Sequence, residues 1–268
     1  MRAIGGTLLL ILMATVCGCG QSSPIAETTT PVRSVVSVAA AADLKYALDD
    51  LTVEFARSHP QIEVRPTYGS SGNFYAQLSN KAPFDIYFSA DIDYPRKLIE
   101  QGHADKETEF LYAVGQIVVW VRNESLLDVE SLGVRALVEP GVRKVAIANP
   151  QHAPYGRAAE AALKQLGVYE QVQDRLVLGE NIAQTAQFVE SGAADVGVIA
   201  LSLAMAPALR EQGRYWIVPL GAYPRLEQGG AILTWAKDRE ATDALRTFVI
   251  GDAGRAILRR YGFLLPGE

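Results

Sequence analysis

Thr67-Tyr68-Gly69-Ser70-Ser71-Gly72-Asn73 places two hydroxyls between two glycines, after a short extended run at Ile62-Glu63-Val64-Arg65 and before a helix predicted over 73–78. Glycine lets the backbone approach a guest closely. The serines supply O–H donors, and a helix start supplies N–H groups with no partner and a favourable dipole. Residues of these types support the capture of a small anion by neutral donors. A lone Gly-Ser-Ser-Gly is more often an ordinary capped turn, so recurrence decides its weight. Other strand-to-helix corners share the layout, at Ala42/Asp43, at Tyr155 and at Asn181/Ile182. Helix starts of this kind, brought together, would form an anion pocket.

Other chemistries find less support. His59, His103 and His152 are scattered without metal-ligand spacing and read as solvated or loop histidines. No Gly-x-Ser-x-Gly elbow and no P-loop occur, and both cysteines, Cys17 and Cys19, lie at the start of the chain. The acidic pairs Asp49/Asp50 and Asp91/Asp93 fall on predicted helix faces or starts, where solvation explains them. No catalytic group is visible, and the chain reads as a binding protein that is not an enzyme and needs no cofactor. The net charge of −5 also disfavours nucleic acid, which requires clustered Lys and Arg. An anion would have to be recognised by aimed donors against the overall field.

The elements that must position these residues alternate. Val35-Val36-Ser37-Val38-Ala39-Ala40 is a buried-type strand, and the helix after Asp43 carries an apolar stripe at Leu44, Ala47, Leu48, Leu51 and Phe55. Strands near 62 and over 84–90 alternate with helices over 73–78 and 94–101, and residues 111–121 form a run long enough to cross between lobes. The pattern then restarts with strands over 145–148, 176–178 and 196–199 and helices over 157–166, 182–190 and 203–211. After a strand over 215–218 and a Gly/Pro-rich passage, residues 231–235 read as the return crossing, before helices over 241–250 and 253–261. Such alternation implies an α/β fold with parallel-rich sheets, in which ligands sit at the carboxyl ends of strands. The expected organisation is a first lobe over 34–113, a second over 114–230 and a return to the first over 231–268.

The first 18 residues read as an export signal: Arg2, then a short apolar core too short to span a bilayer. Gly18-Cys19 resembles a bacterial lipobox, in which Cys19 becomes the lipidated first residue of the mature protein. Residues 19–33, rich in Ser, Thr and Pro, form a flexible tether. Loss of the signal removes Arg2, its one charged residue, and takes the net charge from −5 to −6. The expected location is extracytoplasmic, on the periplasmic side in a Gram-negative cell, with the membrane reached through lipid on Cys19.

Ala40-Ala41-Ala42-Asp43-Leu44, Tyr68-Gly69-Ser70-Ser71-Gly72, Phe84-Asp85-Ile86-Tyr87-Phe88-Ser89-Ala90, Asn149-Pro150-Gln151-His152-Ala153-Pro154-Tyr155-Gly156, Gly179-Glu180-Asn181-Ile182 and Arg260-Tyr261-Gly262-Phe263 occur in this order. In that combination the chain resembles the periplasmic molybdate-binding proteins. The resemblance implies a type II periplasmic-binding fold, two α/β lobes with a hinge and an interlobe cleft. It also implies a monomer that delivers molybdate, and usually tungstate, to the permease of an ABC importer. Molybdenum would be present as molybdate, held through serine hydroxyls and backbone N–H groups without a bound cation. By position, Ser71 matches the family's serine, Ile182 a residue donating its backbone N–H, and Tyr155 a similar donor after the proline; Ala42 would line the pocket through its backbone. Two positions depart from the family pattern. Asp43 stands where Ser or Asn is usual, and would either cap its own helix or coordinate the metal centre, as carboxylates do in archaeal relatives. Ala200 stands where many relatives have a tyrosine whose hydroxyl reaches the anion; Tyr155, Ser202 or Tyr223 would replace that donor. Another oxyanion, a fold-related enzyme and a sensor lipoprotein are the alternative functions.

Overall fold

The computed structural model describes residues 33–268. The export signal, Cys19 and the tether as far as residue 32 lie outside the described residues, and no described helix is long and apolar enough to cross a membrane.

In chain order the first part holds β1 (Ser34–Ala41), α1 (Lys45–Ser58), β2 (Ile62–Gly69), α2 (Ser71–Ser79), β3 (Ile86–Ser89), α3 (Asp93–Glu100) and β4 (Phe110–Gly115). There follow β5 (Ile117–Arg122), α4 (Val129–Leu132), β6 (Val145–Ala148), α5 (Pro154–Gln165), α6 (Tyr169–Val172), β7 (Leu176–Gly179), α7 (Ile182–Glu190), β8 (Val196–Ala200), α8 (Leu201–Ala204) and β9 (Gly213–Ile217). The chain ends with β10 (Leu226–Ile232), α9 (Arg239–Ile250) and α10 (Asp252–Arg260). Two five-stranded sheets result, ordered β2-β1-β3-β10-β4 and β7-β6-β8-β5-β9. In each, the first three strands are parallel and the other two join antiparallel. This is the two-lobed α/β arrangement expected from the sequence.

Burial on both faces explains the unbroken apolar run of β1. Val36, Val38 and Ala40 pack with α1, α9 and α10, whereas Ala39 joins Phe74, Leu78 and Tyr87 on the opposite face. On α1 the apolar stripe turns inward at Ala47, Leu48, Leu51 and Phe55. Each of the three larger side chains contributes about 1.5–3 kcal/mol by leaving water.

Three expectations are corrected. The long run at 111–121 is not one strand: it divides at Gln116 into β4 of the first sheet and β5 of the second. The return crossing lies at 218–225, not 231–235, because residues 226–232 already pair with β3 and β4. Gly230, part of what looked like a turn signal, is an in-strand position where a Cβ would collide with the Tyr87 carbonyl and the Phe110 ring. The helix expected over 203–211 is the single turn α8, since Pro207 disfavours helical backbone at Ala206.

Candidate functional site: a pocket of helix starts

At the carboxyl ends of β1, β2 and β3, facing the starts of α5 and α7, a small pocket of about 10 Å³ opens between the lobes. Ala41, Ala42, Asp43, Gly69, Ser70, Ser71 and Ala90 line it from the first lobe, and Ala153, Pro154, Tyr155, Asn181 and Ile182 from the second. None of these is Lys, Arg or His. The structure therefore brings Ala42, Asp43, Ser71, Tyr155 and Ile182 together.

What these corners offer is a set of unspent N–H groups. The first residues of a helix have no intrahelical acceptor. In α7 the Asn181 side chain accepts from Ala183 N–H and Gln184 N–H, both at 3.0 Å, which leaves Ile182 N–H for the pocket. In α5 Pro154 has no N–H to satisfy, and Gly156 and Arg157 donate back to the Ala153 carbonyl, so Tyr155 N–H is left over. In α2 Gly72 N–H is spent on the His152 carbonyl, and Ser71 N–H is left. The Ser71 hydroxyl oxygen accepts from Ala90 N–H at 3.0 Å, so its hydrogen is free to donate. The Tyr87 hydroxyl fixes this corner by donating to the Ser71 carbonyl at 2.7 Å.

Asp43 does not cap a helix. It sits inside a 3-10 turn, Ala42–Leu44, that precedes α1, and its side chain makes no cap bond. The carboxylate is 1 % exposed; its Oδ2 accepts from the Tyr155 hydroxyl at 3.0 Å and from Gln228 Nε2 at 2.7 Å. Its Oδ1 and the Gln228 Oε1 have no partner. Burial pushes the Asp43 carboxyl up to about 6, a rise only partly offset by the Gln228 and Tyr155 hydrogen bonds and by the backbone N–H groups of Asp43 and Leu44. Burial likewise raises the Tyr155 and Tyr112 phenols well above their ordinary value.

Ala200 does not reach the pocket. It ends β8 opposite Ile117, fully buried, and is absent from the lining. Of the side chains expected to replace a hydroxyl there, Ser202 donates to the Asp43 carbonyl at 2.8 Å and the Tyr223 hydroxyl accepts from Ile117 N–H at 3.3 Å. Tyr155 lines the pocket, but its hydroxyl is spent on Asp43. Among the described residues, no group of three or more His, Cys, Asp or Glu is placed to hold a metal ion.

Around the pocket the lobes are clasped. The His152 carbonyl accepts from the Ser70 hydroxyl at 2.7 Å and from Gly72 N–H at 2.9 Å. Ser70 Oγ also lies 3.0 Å from His152 Nδ1, and the Asn73 amide donates to Glu180. On the other flank Arg157 of α5 pairs with Asp91 at 2.6 Å and donates to the Tyr94 hydroxyl at 3.1 Å. Asp91 is thus not simply solvated, and His152 is an interlobe contact. Gln228 and His152 are the site residues that sequence reasoning missed, and Ser70, read there as a donor to an anion, donates to His152 instead.

Comparison with known proteins agrees with this geometry. Residues 36–264 match the family described as bacterial extracellular solute-binding protein. The molybdate-binding protein ModA of Azotobacter vinelandii is 34% identical over 85% of this chain and 89% of its own length. The ModA of Rhodobacter capsulatus is 35% identical over 74% of this chain and 75% of its own. The solved structure of the Azotobacter vinelandii periplasmic molybdate-binding protein superimposes with a TM-score of 0.80 at 33% identity, over 86% of this chain and 99% of that one.

Proposed function

Because the chain belongs to the bacterial extracellular solute-binding proteins, and within them to the molybdate-binding family, we propose that it captures molybdate, and tungstate with it, outside the cytoplasm and delivers it to an ABC importer. The observation that carries this reading is the convergence of Ser71 N–H and Oγ–H, Tyr155 N–H and Ile182 N–H on one pocket that no cationic side chain lines. Donors at helix starts suit an anion that has shed its water, since the positive end of each helix dipole points at it.

Capture proceeds by hinge closure. Segments at Gln116 and at 218–225 connect the lobes, and the anion favours the closed state by bonding to donors from both. Selectivity follows from size: molybdate and tungstate fill a pocket in which sulfate is loose. The protein acts as a monomer, without cofactor and not as an enzyme; the Ser70 hydroxyl, though 3.0 Å from His152 Nδ1, donates its hydrogen to the His152 carbonyl rather than to the ring. Residues 1–18 direct export, and lipid on Cys19 with a tether to residue 33 holds the body at the membrane, where the permease is; the Gly18-Cys19 pair after a short apolar core supports this.

Thermal unfolding of soluble protein starting at Gly20, with molybdate, tungstate, sulfate and phosphate added separately, tests the reading. A ligand at about a hundredfold excess over its Kd stabilises by about 2.7 kcal/mol. Shifts with molybdate and tungstate and none with sulfate are expected. A shift with sulfate or phosphate alone would move the function to another anion, and no shift with any would remove the oxyanion reading.

A further inference from the structure

An anion pocket that contains a buried carboxylate has a charge problem. Both side-chain donors to Asp43, the Tyr155 hydroxyl and Gln228 Nε2, serve Oδ2, while Oδ1 is buried in a residue that lines the pocket and has no partner at hydrogen-bond geometry. A buried, unpaired acceptor is unfavourable, and a second negative charge beside it more so. On this geometry, and resting on the oxyanion reading above, we propose that the anion is taken up together with one proton, held between Asp43 Oδ1 and an oxygen of the anion. The proton comes from water, and no bond to the central atom forms or breaks. It converts a like-charge contact into a hydrogen bond, supplies Oδ1 with its missing partner, and adds a grip on the anion where Ala200 offers none.

Groups near Asp43 leave it to titrate on its own. Tyr155 from α5 and Tyr112 from β4 have phenols raised far from neutrality by burial. Ser202 of α8 is uncharged and bonds the Asp43 carbonyl. From α7, Glu190 sits with Lys45 and Tyr46 of α1 in a separate depression. Tyr68 of β2 bonds Asp49 of α1. With the carboxyl at about 6 before an anion arrives, and higher once one is bound, Asp43 is ionised in the free protein above that pH and protonated in the complex. Affinity then falls about tenfold for each unit of pH above about 6 and levels off below it.

Titration calorimetry with molybdate at about pH 8, in buffers of different ionisation enthalpy, counts the protons. The expected result is uptake of close to one proton, with Kd rising about tenfold per unit between about pH 6.5 and 8.5. Asp43→Asn carries a permanent amide donor, and is expected to bind with no proton uptake and a flat Kd, its melting curve showing that it is folded. Should that variant not fold, the proton count on the unmodified protein decides alone. Binding without proton uptake, or uptake that persists in D43N, overturns the inference and leaves the oxyanion reading standing. Absence of binding at every pH overturns that reading, and the inference with it.

Discussion

Gly72→Ala separates what the pocket does from what the clasp does. A Cβ at Gly72 would lie 2.5 Å from the His152 carbonyl oxygen and 2.9 Å from both the His152 Cα and the Tyr94 hydroxyl, where ordinary contact begins at 3.4 Å. Relief requires the lobes to part by about 1 Å, since the nearest obstacle is backbone. Gly72 N–H to His152 O, now 2.9 Å, then stretches beyond hydrogen-bond range, and the Ser70 bond to the same carbonyl at 2.7 Å goes with it. Each contributes about 0.5–1.5 kcal/mol, so the closed state loses about 1–3 kcal/mol. That raises the Kd for molybdate by about 5- to 150-fold. The open, ligand-free protein loses none of this. Gly72 lies in the first turn of α2, and a helix prefers alanine to glycine by up to about 1 kcal/mol. Calorimetric Kd values and ligand-free melting curves for the two proteins form the assay; weaker binding with an unchanged or higher melting temperature is expected. A Kd within about twofold of the original would refute the reasoning by showing that the bound state does not need the clasp. An equally large fall in ligand-free stability would show that the His152 contact belongs to the fold rather than to closure.

Ser71→Ala removes a hydroxyl aimed at a charged guest and is expected to weaken molybdate binding by about 1–3 kcal/mol, read by calorimetry; unchanged affinity takes Ser71 out of the site. Asn181→Ala frees Ala183 N–H and Gln184 N–H from their shared acceptor. It should lower stability by about 1 kcal/mol in denaturant titration, with weaker binding because Ile182 N–H loses its fixed neighbour. The Asp43 carboxyl, raised from 3.8 to about 6, binds its proton more tightly folded than unfolded. Its contribution is therefore most favourable at low pH and is lost as pH rises from about 4 to about 6, by up to about 3 kcal/mol when the lobes are closed and by less when they are open. Melting curves of the ligand-free protein and Asp43→Asn should nearly coincide near pH 4, separate between about pH 4 and 6 with the variant the more stable, and keep a constant spacing above that; a spacing that does not change between about pH 4 and 6 would refute the assignment.

Which parts of this site were legible in the sequence follows from the range of the interactions. Ser71, Tyr155 and Ile182 offer first-turn N–H groups, whose availability is set by the few residues on either side: a proline, an Asn cap, a glycine. Those signals are local, and the strand–helix alternation that delivers them to one edge of each sheet is nearly so. Gln228 was not legible because its partner Asp43 is 185 positions away; the one trace it leaves is a polar residue next to the apolar run from residue 229 to 232. His152 left none, since the clasp uses its backbone carbonyl, a group every residue has. Ser70 and Ser71 are chemically identical neighbours, and only the phase of α2 sends one hydroxyl to His152 and keeps the other at the pocket.

That division within a single turn links recognition to closure. Ser71 N–H is left for the guest, while the next N–H along, that of Gly72, holds the opposite lobe through His152. A displacement that moves the second donor displaces the first. An anion bonded at Ser71 and Ile182 therefore spans the same gap that the clasp spans, and its affinity for the closed state exceeds that for the open one by the contacts made on the far side. On the proposed reading, the anion selects closure because the donors that would grip it are the ends of elements from both lobes.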